Sequence, residues 1–394
     1  MKRPPGLWSF LTLFAAGLLL LPPAQAAKSP IRIGLAATFS GGLAVSGQAI
    51  ERGLTIAVDE INARGGLLGG RRLEIVKRDD GGKPANGVAV VRDLAGEGVV
   101  AIFGGLFTPV TLAQLGTVHD LKIPYMDPWA AGTPITRNGR NPNYMFRVSA
   151  NDDYADKFLV DYAIKQLGRK RPGLALENTA WGQSNQKGLT KWLDKAGLKA
   201  VGIEKFNWGD TDMSPQLGRL RRADADILIM VANAPEGAQV VKSKAKIGWG
   251  VPILSHWGIS GGKFAELTGK LSEGVTFLQT YTFFGPQNER GKYVLKALKA
   301  KYGIQGPEDI TAPVGTANAY DAMHLLAMAI EQAGSTKGPA IQQALENLRG
   351  QYRGLIKVYR RPFTPEEHDA LSAEDFVMCV WKGGKILPVS MVRQ

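Results

Sequence analysis

The chain has 394 residues, of which 44% are hydrophobic, and a formal net charge of +13. This length suits two domains of ordinary size, and the single cysteine, Cys379, excludes an intramolecular disulfide. The basic balance indicates a solvated basic surface and no nucleic-acid partner, because the chain has no run of lysines and arginines with interleaved aromatic residues.

The N-terminus is typical of a secretory signal peptide. Two basic residues precede an apolar run from Leu7 to Leu21, two prolines end the run, and small residues stand at Ala24 and Ala26. The run has about 15 residues, which is short of the roughly 20 that span a bilayer. We therefore expect residues 1–26 to be removed on export and the mature chain to be located in the periplasm.

From Ile31 onwards, short β-rich apolar runs alternate with longer amphipathic runs. In the first amphipathic run, Ile50, Leu54 and Ile61 recur on one helical face. The alternation predicts strands at 31–36, 72–78, 99–103, 124–126 and 144–148, and helices at 46–63, 85–95 and 109–120. After residue 151 it predicts strands at 173–176, 201–206, 226–231, 252–254 and 274–279, helices at 183–196, 215–222, 236–247, 289–302 and 316–333, and a terminal hairpin of 376–381 and 386–389.

Repeated βα units argue for parallel sheets with helices on both faces. Two blocks of such units predict an α/β fold with two Rossmann-like lobes. Ligands of open α/β sheets bind beyond the carboxyl ends of the strands, so the loops that follow the predicted strands are the places to search for a site.

Three of these loops carry polar candidates. Ser46 lies in a segment rich in glycine and hydroxyl groups that enters the first helix, which suits either an anion or a plain capped turn. Thr108 stands before Pro109 and is a good N-cap, so it either caps the helix only or also holds a ligand carboxylate. Asn233 follows the strand that ends at Val231.

Tryptophans follow three different predicted strands. Trp129, Trp181 and Trp257 each lie just beyond a strand end, and Phe107 and Tyr281 are further aromatic candidates. One loop tryptophan usually packs in the core. Three of them, after separate strands, favour a shared cleft lined by aromatic rings.

Catalytic signatures are missing from the sequence. The four histidines have no zinc-ligand spacing, and neither a G-x-S-x-G elbow nor a Walker A or dinucleotide-binding glycine motif occurs. Cys379 lies in a predicted strand, where we expect it to be buried. We therefore expect no catalytic residue, no metal and no cofactor, and a protein that is not an enzyme.

One stretch carries a more specific signal. Residues 59–81 combine a helix end, a glycine turn and a strand, with Asn62-Ala63-Arg64-Gly65-Gly66 near the start and Asp80 near the end. With the loop from Gly34 to Gly47 and the pair Trp181-Gly182, this stretch resembles the periplasmic branched-chain amino-acid-binding (Leu/Ile/Val-binding) family. The resemblance extends from Ile31 to about Ile386.

The resemblance implies the type I periplasmic binding protein fold, in which two lobes joined by three crossings close around a solute. It implies lobe I at 27–148 plus 283–355 and lobe II at 149–282 plus 356–394. Such a receptor is expected to be monomeric and to deliver a small-molecule solute to an ABC permease complex in the inner membrane. The alternatives are a ligand-sensing receptor that feeds a regulator and, from another class, an exported α/β hydrolase.

The resemblance also assigns roles to site residues. Thr108 matches the hydroxyl that holds the ligand carboxylate, residues 129–131 match a second contact loop, and Trp257 stands where an acidic residue normally pairs with the ligand ammonium. A buried ammonium needs such a partner, so we expect a hydrophobic or aromatic carboxylate. An amino-acid-like solute is the alternative, with Glu177 or Glu236 as the amine partner. The predicted ligand-binding residues are Ser46, Phe107, Thr108, Trp129, Ala130, Ala131, Trp181, Asn233, Trp257 and Tyr281.

Overall fold

A computed structural model describes residues 1–2 and 28–392 of the chain. The predicted signal peptide therefore lies outside the described residues, apart from Met1 and Lys2. In the described part of the chain, no helix combines the length and the apolar character needed to cross a membrane.

The strands, numbered in chain order, are β1 (Ile31–Ala37), β2 (Leu73–Asp79), β3 (Ala101–Gly104), β4 (Tyr125–Asp127), β5 (Met145–Arg147), β6 (Pro172–Glu177), β7 (Gly202–Phe206), β8 (Ile227–Val231), β9 (Ile253–Ser255), β10 (Thr276–Gln279), β11 (Gln351–Arg353), β12 (Val358–Arg360), β13 (Val377–Lys382) and β14 (Lys385–Pro388). The α-helices are α1 (Ala44–Ala63), α2 (Pro84–Gly96), α3 (Thr108–Leu121), α4 (Thr133–Thr136), α5 (Asp152–Lys165), α6 (Ala180–Lys195), α7 (Ser214–Arg222), α8 (Ala234–Lys246), α9 (Phe264–Thr268), α10 (Glu289–Tyr302), α11 (Pro313–Ala333) and α12 (Gly338–Glu346).

Two sheets organise these elements. The first is parallel, in the order β2, β1, β3, β4, β5. The second has the order β14, β13, β10, β9, β8, β6, β7, and is parallel except for β13 and β14 at one edge. The predicted α/β class with two parallel sheets is confirmed, and so is the terminal hairpin, in which Lys382 pairs with Lys385.

The chain passes between the two sheets more than once. It leaves the first sheet after β5, and after β10 it returns to place α11 against α1 of the first lobe. It then re-enters the second sheet at β13. This path is consistent with the lobe boundaries given above, which we keep as a proposal.

Helix α5 was not predicted from the sequence, although the start of this helix carries a clear signal. Asn151 caps this helix, since its side chain accepts a hydrogen bond from the N–H of Asp153, and two acidic residues occupy the first turn. The helix buries Ala155 and Leu159 among many polar neighbours, so its apolar face is weakly marked. The short antiparallel pair β11 and β12 and the helix α12 were also not predicted.

A buried ion pair joins two of the segments that connect the lobes. Arg147, the last residue of β5, donates from Nε to Asp369 Oδ1 at 2.6 Å, and neither side chain is exposed to solvent. Asn151 donates to the other Asp369 oxygen at 2.6 Å. Burial raises the pKa of Asp369, but the Arg147 charge and these hydrogen bonds outweigh it, so the pKa lies below its usual value. The carboxylate is therefore ionised and holds the crossings together.

Replacing Arg147 by methionine should strongly destabilise the fold. The change leaves the Asp369 carboxylate buried without its closest cationic partner, and breaking such a pair costs roughly 3–5 kcal/mol. Urea denaturation followed by circular dichroism measures the loss in the free energy of unfolding. The control is Lys292→Met, which removes an exposed ion pair with Glu289 and should cost less than about 1 kcal/mol. Equal losses in the two variants would contradict the role given to Arg147.

Candidate functional site

A narrow cavity lies between the two lobes, beyond the carboxyl ends of β3, β4, β6, β7, β8 and β9. This is the position that open α/β sheets use for ligands. The free space between its walls is about 10 Å³, which is about enough for one water molecule, so the two lobes must separate for a solute to enter. Its lining residues are Leu106, Phe107, Thr108, Pro109, Trp129, Ala130, Ala131, Glu177, Trp181, Trp208, Asn233 and Trp257.

The start of α3 forms one wall of the cavity. The prediction that Thr108 is the N-cap is wrong: Phe107 takes that position with an extended backbone, and Thr108 is the first helical residue. Thr108 is buried, and its hydroxyl accepts a hydrogen bond from the N–H of Gly132 at 3.1 Å. A hydroxyl that accepts one bond keeps its own proton to donate. The first N–H groups of a helix also lack acceptors within it, so this wall offers donors to an anion.

The second contact loop is fixed by a buried acid, Asp127, and a buried guanidinium, that of Arg147, which lie behind it. The Asp127 carboxylate accepts hydrogen bonds from the N–H groups of Trp129 at 2.9 Å and Ala130 at 2.8 Å. The Arg147 guanidinium donates to the carbonyls of Ala130 at 3.2 Å and Gly132 at 2.9 Å. Burial holds the pKa of Asp127 well above its usual range, although the Arg147 charge opposes this. Buried side chains therefore hold both the backbone N–H groups and the backbone carbonyls of this loop.

The three predicted tryptophans meet in this cavity. Trp129 from the first lobe and Trp257 from the second lie with ring centroids 5.8 Å apart. Trp181 donates from Nε1 to Asp152 Oδ1 at 3.0 Å. All three rings are buried. Their common location agrees with the aromatic-lined cleft expected from the sequence.

His256 supports two of these rings from behind. Its Nδ1 accepts the N–H of Trp257 at 2.9 Å, which places the ring proton on Nε2. That Nε2 lies 3.2 Å from Asp152 Oδ1, and the imidazole packs edge-on against Trp181 with centroids 5.2 Å apart. His256 therefore serves to position aromatic rings.

Glu177 lines the cavity but is not among the predicted ligand-binding residues, since the sequence offered it only as the amine partner of the alternative solute. One oxygen accepts the backbone N–H of Asn233 at 2.6 Å and its amide at 2.9 Å, and the other accepts Trp208 Nε1 at 2.8 Å. Burial raises the pKa of Glu177 to about 7, against the effect of these hydrogen bonds. The signal in the sequence that could have identified Glu177 as a site residue is its position at the end of an otherwise apolar strand. Glu236, the other residue considered as an amine partner, does not line the cavity.

Trp208 and Phe107 meet across the mouth of the cavity. Their ring centroids are 5.2 Å apart, and Trp208 is 41% exposed. Trp208 follows β7, and the loop after this strand was not among the candidate loops predicted from the sequence. Leu106 and Pro109, which flank the predicted residues Phe107 and Thr108, complete the set of lining residues that were missed.

Two predicted residues do not line the cavity. Ser46 is buried in the first turn of α1, next to Gly261 of the second lobe. Tyr281 donates its hydroxyl to Gln287 and packs edge-on against Phe283, with centroids 4.9 Å apart. The other eight predicted residues all line the cavity: Phe107, Thr108, Trp129, Ala130, Ala131, Trp181, Asn233 and Trp257.

Comparison with known proteins identifies the fold and the family. A family model described as "Periplasmic binding protein" matches residues 30–383. "Leu/Ile/Val-binding protein homolog 3" of Brucella melitensis is 26% identical over 365 residues, which is 92% of this chain and 95% of the relative.

Two solved structures share the whole fold. A type 1 periplasmic binding protein from Bordetella pertussis has a TM-score of 0.82 and 28% identity, covering 91% of this chain and 99% of that one. An ABC-transporter solute-binding protein from R. palustris, in complex with 4-hydroxybenzoate, has a TM-score of 0.76 and 22% identity, covering 91% and 95%. The resemblance stated from the sequence motifs is confirmed. The chain belongs to the periplasmic binding protein family and is a solute-binding receptor of an ABC importer.

Proposed function

We propose that this receptor binds a small hydrophobic or aromatic carboxylate. The observation that carries the proposal is the meeting, in one cavity, of the α3 N-terminus with its Thr108 hydroxyl and of the three buried rings of Trp129, Trp181 and Trp257. The first group is a donor set for an anion, and the second is an apolar surface that suits a ring or a branched chain.

The carboxylate half of the site rests on donors without competing acceptors. Thr108 accepts from Gly132 and so has its hydroxyl proton to give. The positive end of the α3 dipole adds to this attraction. Hydrogen bonds to charged groups contribute about 1.5–3 kcal/mol each, so this wall supplies both affinity and orientation.

The opposite half of the site suits an apolar body better than an ammonium group. Glu177 is the acidic residue in the cavity lining, and its two oxygens already accept three N–H donors. A pKa of about 7 also makes Glu177 only partly ionised at neutral pH. The 4-hydroxybenzoate complex of the R. palustris protein is consistent with this choice, since the same fold there holds an aromatic acid.

An amino-acid-like solute is the second candidate, and one observation favours it. The Glu177 carboxylate stands in the cavity wall, opposite in charge to an ammonium. The name of the B. melitensis relative also points to leucine, isoleucine and valine for that protein. The two candidates differ in what they require of Glu177, which makes this residue the point at which to separate them.

The wider setting is also part of the proposal. We infer export by the predicted signal peptide, a monomeric receptor in the periplasm, and delivery of the solute to the permease without chemical change. Within the described residues, no group of three or more His, Cys, Asp or Glu is placed to hold a metal ion. A sensing role would use the same cavity. The hydrolase alternative has no support there, since the described residues that line the cavity include no histidine, cysteine or serine.

Thr108→Val should weaken binding of 4-hydroxybenzoate about tenfold or more. Loss of one hydrogen bond to a charged group costs at least about 1.5 kcal/mol, and 1.4 kcal/mol is a factor of ten. Isothermal titration calorimetry measures the affinity. Thr108→Ser should retain most of it, because it keeps the hydroxyl.

A matched control for this variant is Thr111→Val. Thr111 is also buried in α3, but its hydroxyl donates to the Phe107 carbonyl and does not line the cavity. We expect near-normal affinity from this variant. Unchanged affinity in a folded Thr108→Val protein would remove Thr108 from the site.

The pH dependence of binding should separate the two solute classes. Glu177, with a pKa of about 7, is mostly ionised at pH 8 and mostly neutral at pH 6. An amino acid should lose roughly threefold or more in affinity as the pH falls over this range, because it loses the anion that pairs with its ammonium. A simple carboxylate should bind as well or better at pH 6, because a repelling charge is neutralised.

Calorimetry with leucine and with 4-hydroxybenzoate at both pH values provides this measurement. Glu177→Gln should abolish the pH dependence for either compound, since the amide does not titrate. Micromolar leucine binding that weakens at pH 6, together with no binding of aromatic acids, would select the amino-acid-like solute and reject the simple carboxylate.

A further inference from the structure

We propose that Gly261 and Ser46 form a seam between the lobes that sets how far the receptor closes. Gly261 follows the short 3₁₀ turn Trp257–Ser260 of the second lobe, and Ser46 lies in the first turn of α1 in the first lobe. The inference rests on the proposed function, because closing is what a solute would trigger. It adds a pair of positioning residues that do not line the cavity.

The contact between the two residues leaves no room for a side chain at position 261 unless Ser46 moves. A Cβ atom added to Gly261 would lie 2.0 Å from Ser46 Oγ, 3.3 Å from Ser46 Cβ and 3.4 Å from Trp129 Cη2. All three neighbours belong to the first lobe. The three atoms nearest to a methyl group at position 261 would therefore all lie in the opposite lobe.

The backbone at Gly261 does not itself require glycine. Its φ is −96° and its ψ is −169°, which is extended backbone that any residue adopts. Gly262 is different, because its φ of +59° favours glycine and an added Cβ would lie 2.7 Å from Ala234 Cβ of its own lobe. At Gly261 the tightest restriction thus comes from the opposite lobe.

Ser46 supplies the other side of the seam. Its side chain is fully buried, and its hydroxyl has no hydrogen-bond partner among the described residues. Burying an unpaired hydroxyl is unfavourable. Closing the seam removes this hydroxyl from water, so Ser46 opposes closure until a bound solute compensates.

The seam is connected to the cavity through Trp129. The same ring that lines the cavity approaches Gly261 with Cη2 and lies against Trp257 of the opposite lobe. A solute that fixes Trp129 therefore also fixes the surface against which Gly261 closes.

Gly261→Ala tests the seam, with 4-hydroxybenzoate as the probe. Apparent affinity falls in proportion to the fraction of molecules that can close, so we expect it to weaken about tenfold or more. X-ray scattering should show a smaller radius of gyration on adding the probe to the wild type, and little or no change for the variant. The melting temperature without probe should stay near that of the wild type, because the open form accommodates the methyl group.

Two further variants distinguish a seam from a general defect. Gly250→Ala, in the same lobe, adds a Cβ that meets nothing within 4 Å and should behave as the wild type. Adding Ser46→Ala to Gly261→Ala removes the oxygen at 2.0 Å and should restore both affinity and contraction. The single Ser46→Ala variant completes the cycle and measures the effect of the hydroxyl by itself.

A cysteine pair tests the seam without any solute. The added Cβ of position 261 and the Cβ of Ser46 are 3.3 Å apart, close to the 3.5–4.5 Å of a disulfide. The double variant Ser46→Cys, Gly261→Cys should therefore form a disulfide under oxidation and contract in scattering. The native Cys379 is buried and should not compete.

The outcomes separate the seam from the choice of solute. Wild-type affinity and contraction in Gly261→Ala, or no recovery with Ser46→Ala, would overturn the seam. Failure of the folded cysteine variant to cross-link would do the same. Failure of the wild type to bind 4-hydroxybenzoate, together with disulfide formation and a smaller radius of gyration in the double cysteine variant, would support the seam and contradict the proposed solute class.

Discussion

The buried ion pair between Arg147 and Asp369 is the interaction on which the rest of the site depends. The backbone N–H of Arg147 bonds to the carbonyl of His368 at 2.9 Å, and the N–H of Ala370 bonds to the carbonyl of Arg147 at 2.9 Å. Side-chain and backbone contacts thus tie the segment after β5 to the segment that leads to β13. The same guanidinium holds the carbonyls of the loop that lines the cavity. One charged side chain therefore links the connection between the lobes to the ligand-facing wall.

Buried carboxylates act in the same way around the rest of the cavity. Asp127 holds the loop of Trp129, Asp152 holds the indole of Trp181, and Glu177 holds the indole of Trp208. Each carboxylate accepts N–H groups from an aromatic residue. Asp127 and Asp152 do so from behind the cavity lining, and Glu177 does so as part of it. Satisfied buried hydrogen bonds of this kind rigidify the groups that they join, so the rings are preorganised while the surface that they show to the cavity stays apolar.

Burial changes the charge that two of these carboxylates, Asp127 and Glu177, carry. Removing them from water disfavours the ionised form, and the pKa values of Asp127 and Glu177 are raised accordingly. A neutral or partly neutral acid can stand near an anionic solute without strong repulsion. Asp127 and Glu177 are therefore compatible with the anion-binding end of α3, and the pH at which Glu177 ionises becomes part of the receptor's selectivity.

The sequence by itself determined the alternation of strands and helices, the parallel sheets and the positions of most cavity loops, because these follow from local periodicity and from the rule that ligands meet strand ends. It placed Thr108, Trp129, Trp181 and Trp257 correctly beside one cleft. Only the tertiary structure decided the partners of each polar group. Thr108 is bound to Gly132 instead of capping α3, Glu177 joins Asn233 and Trp208, and Ser46 faces the opposite lobe. These contacts join segments far apart in the chain, and no pattern of neighbouring residues specifies which of them will meet.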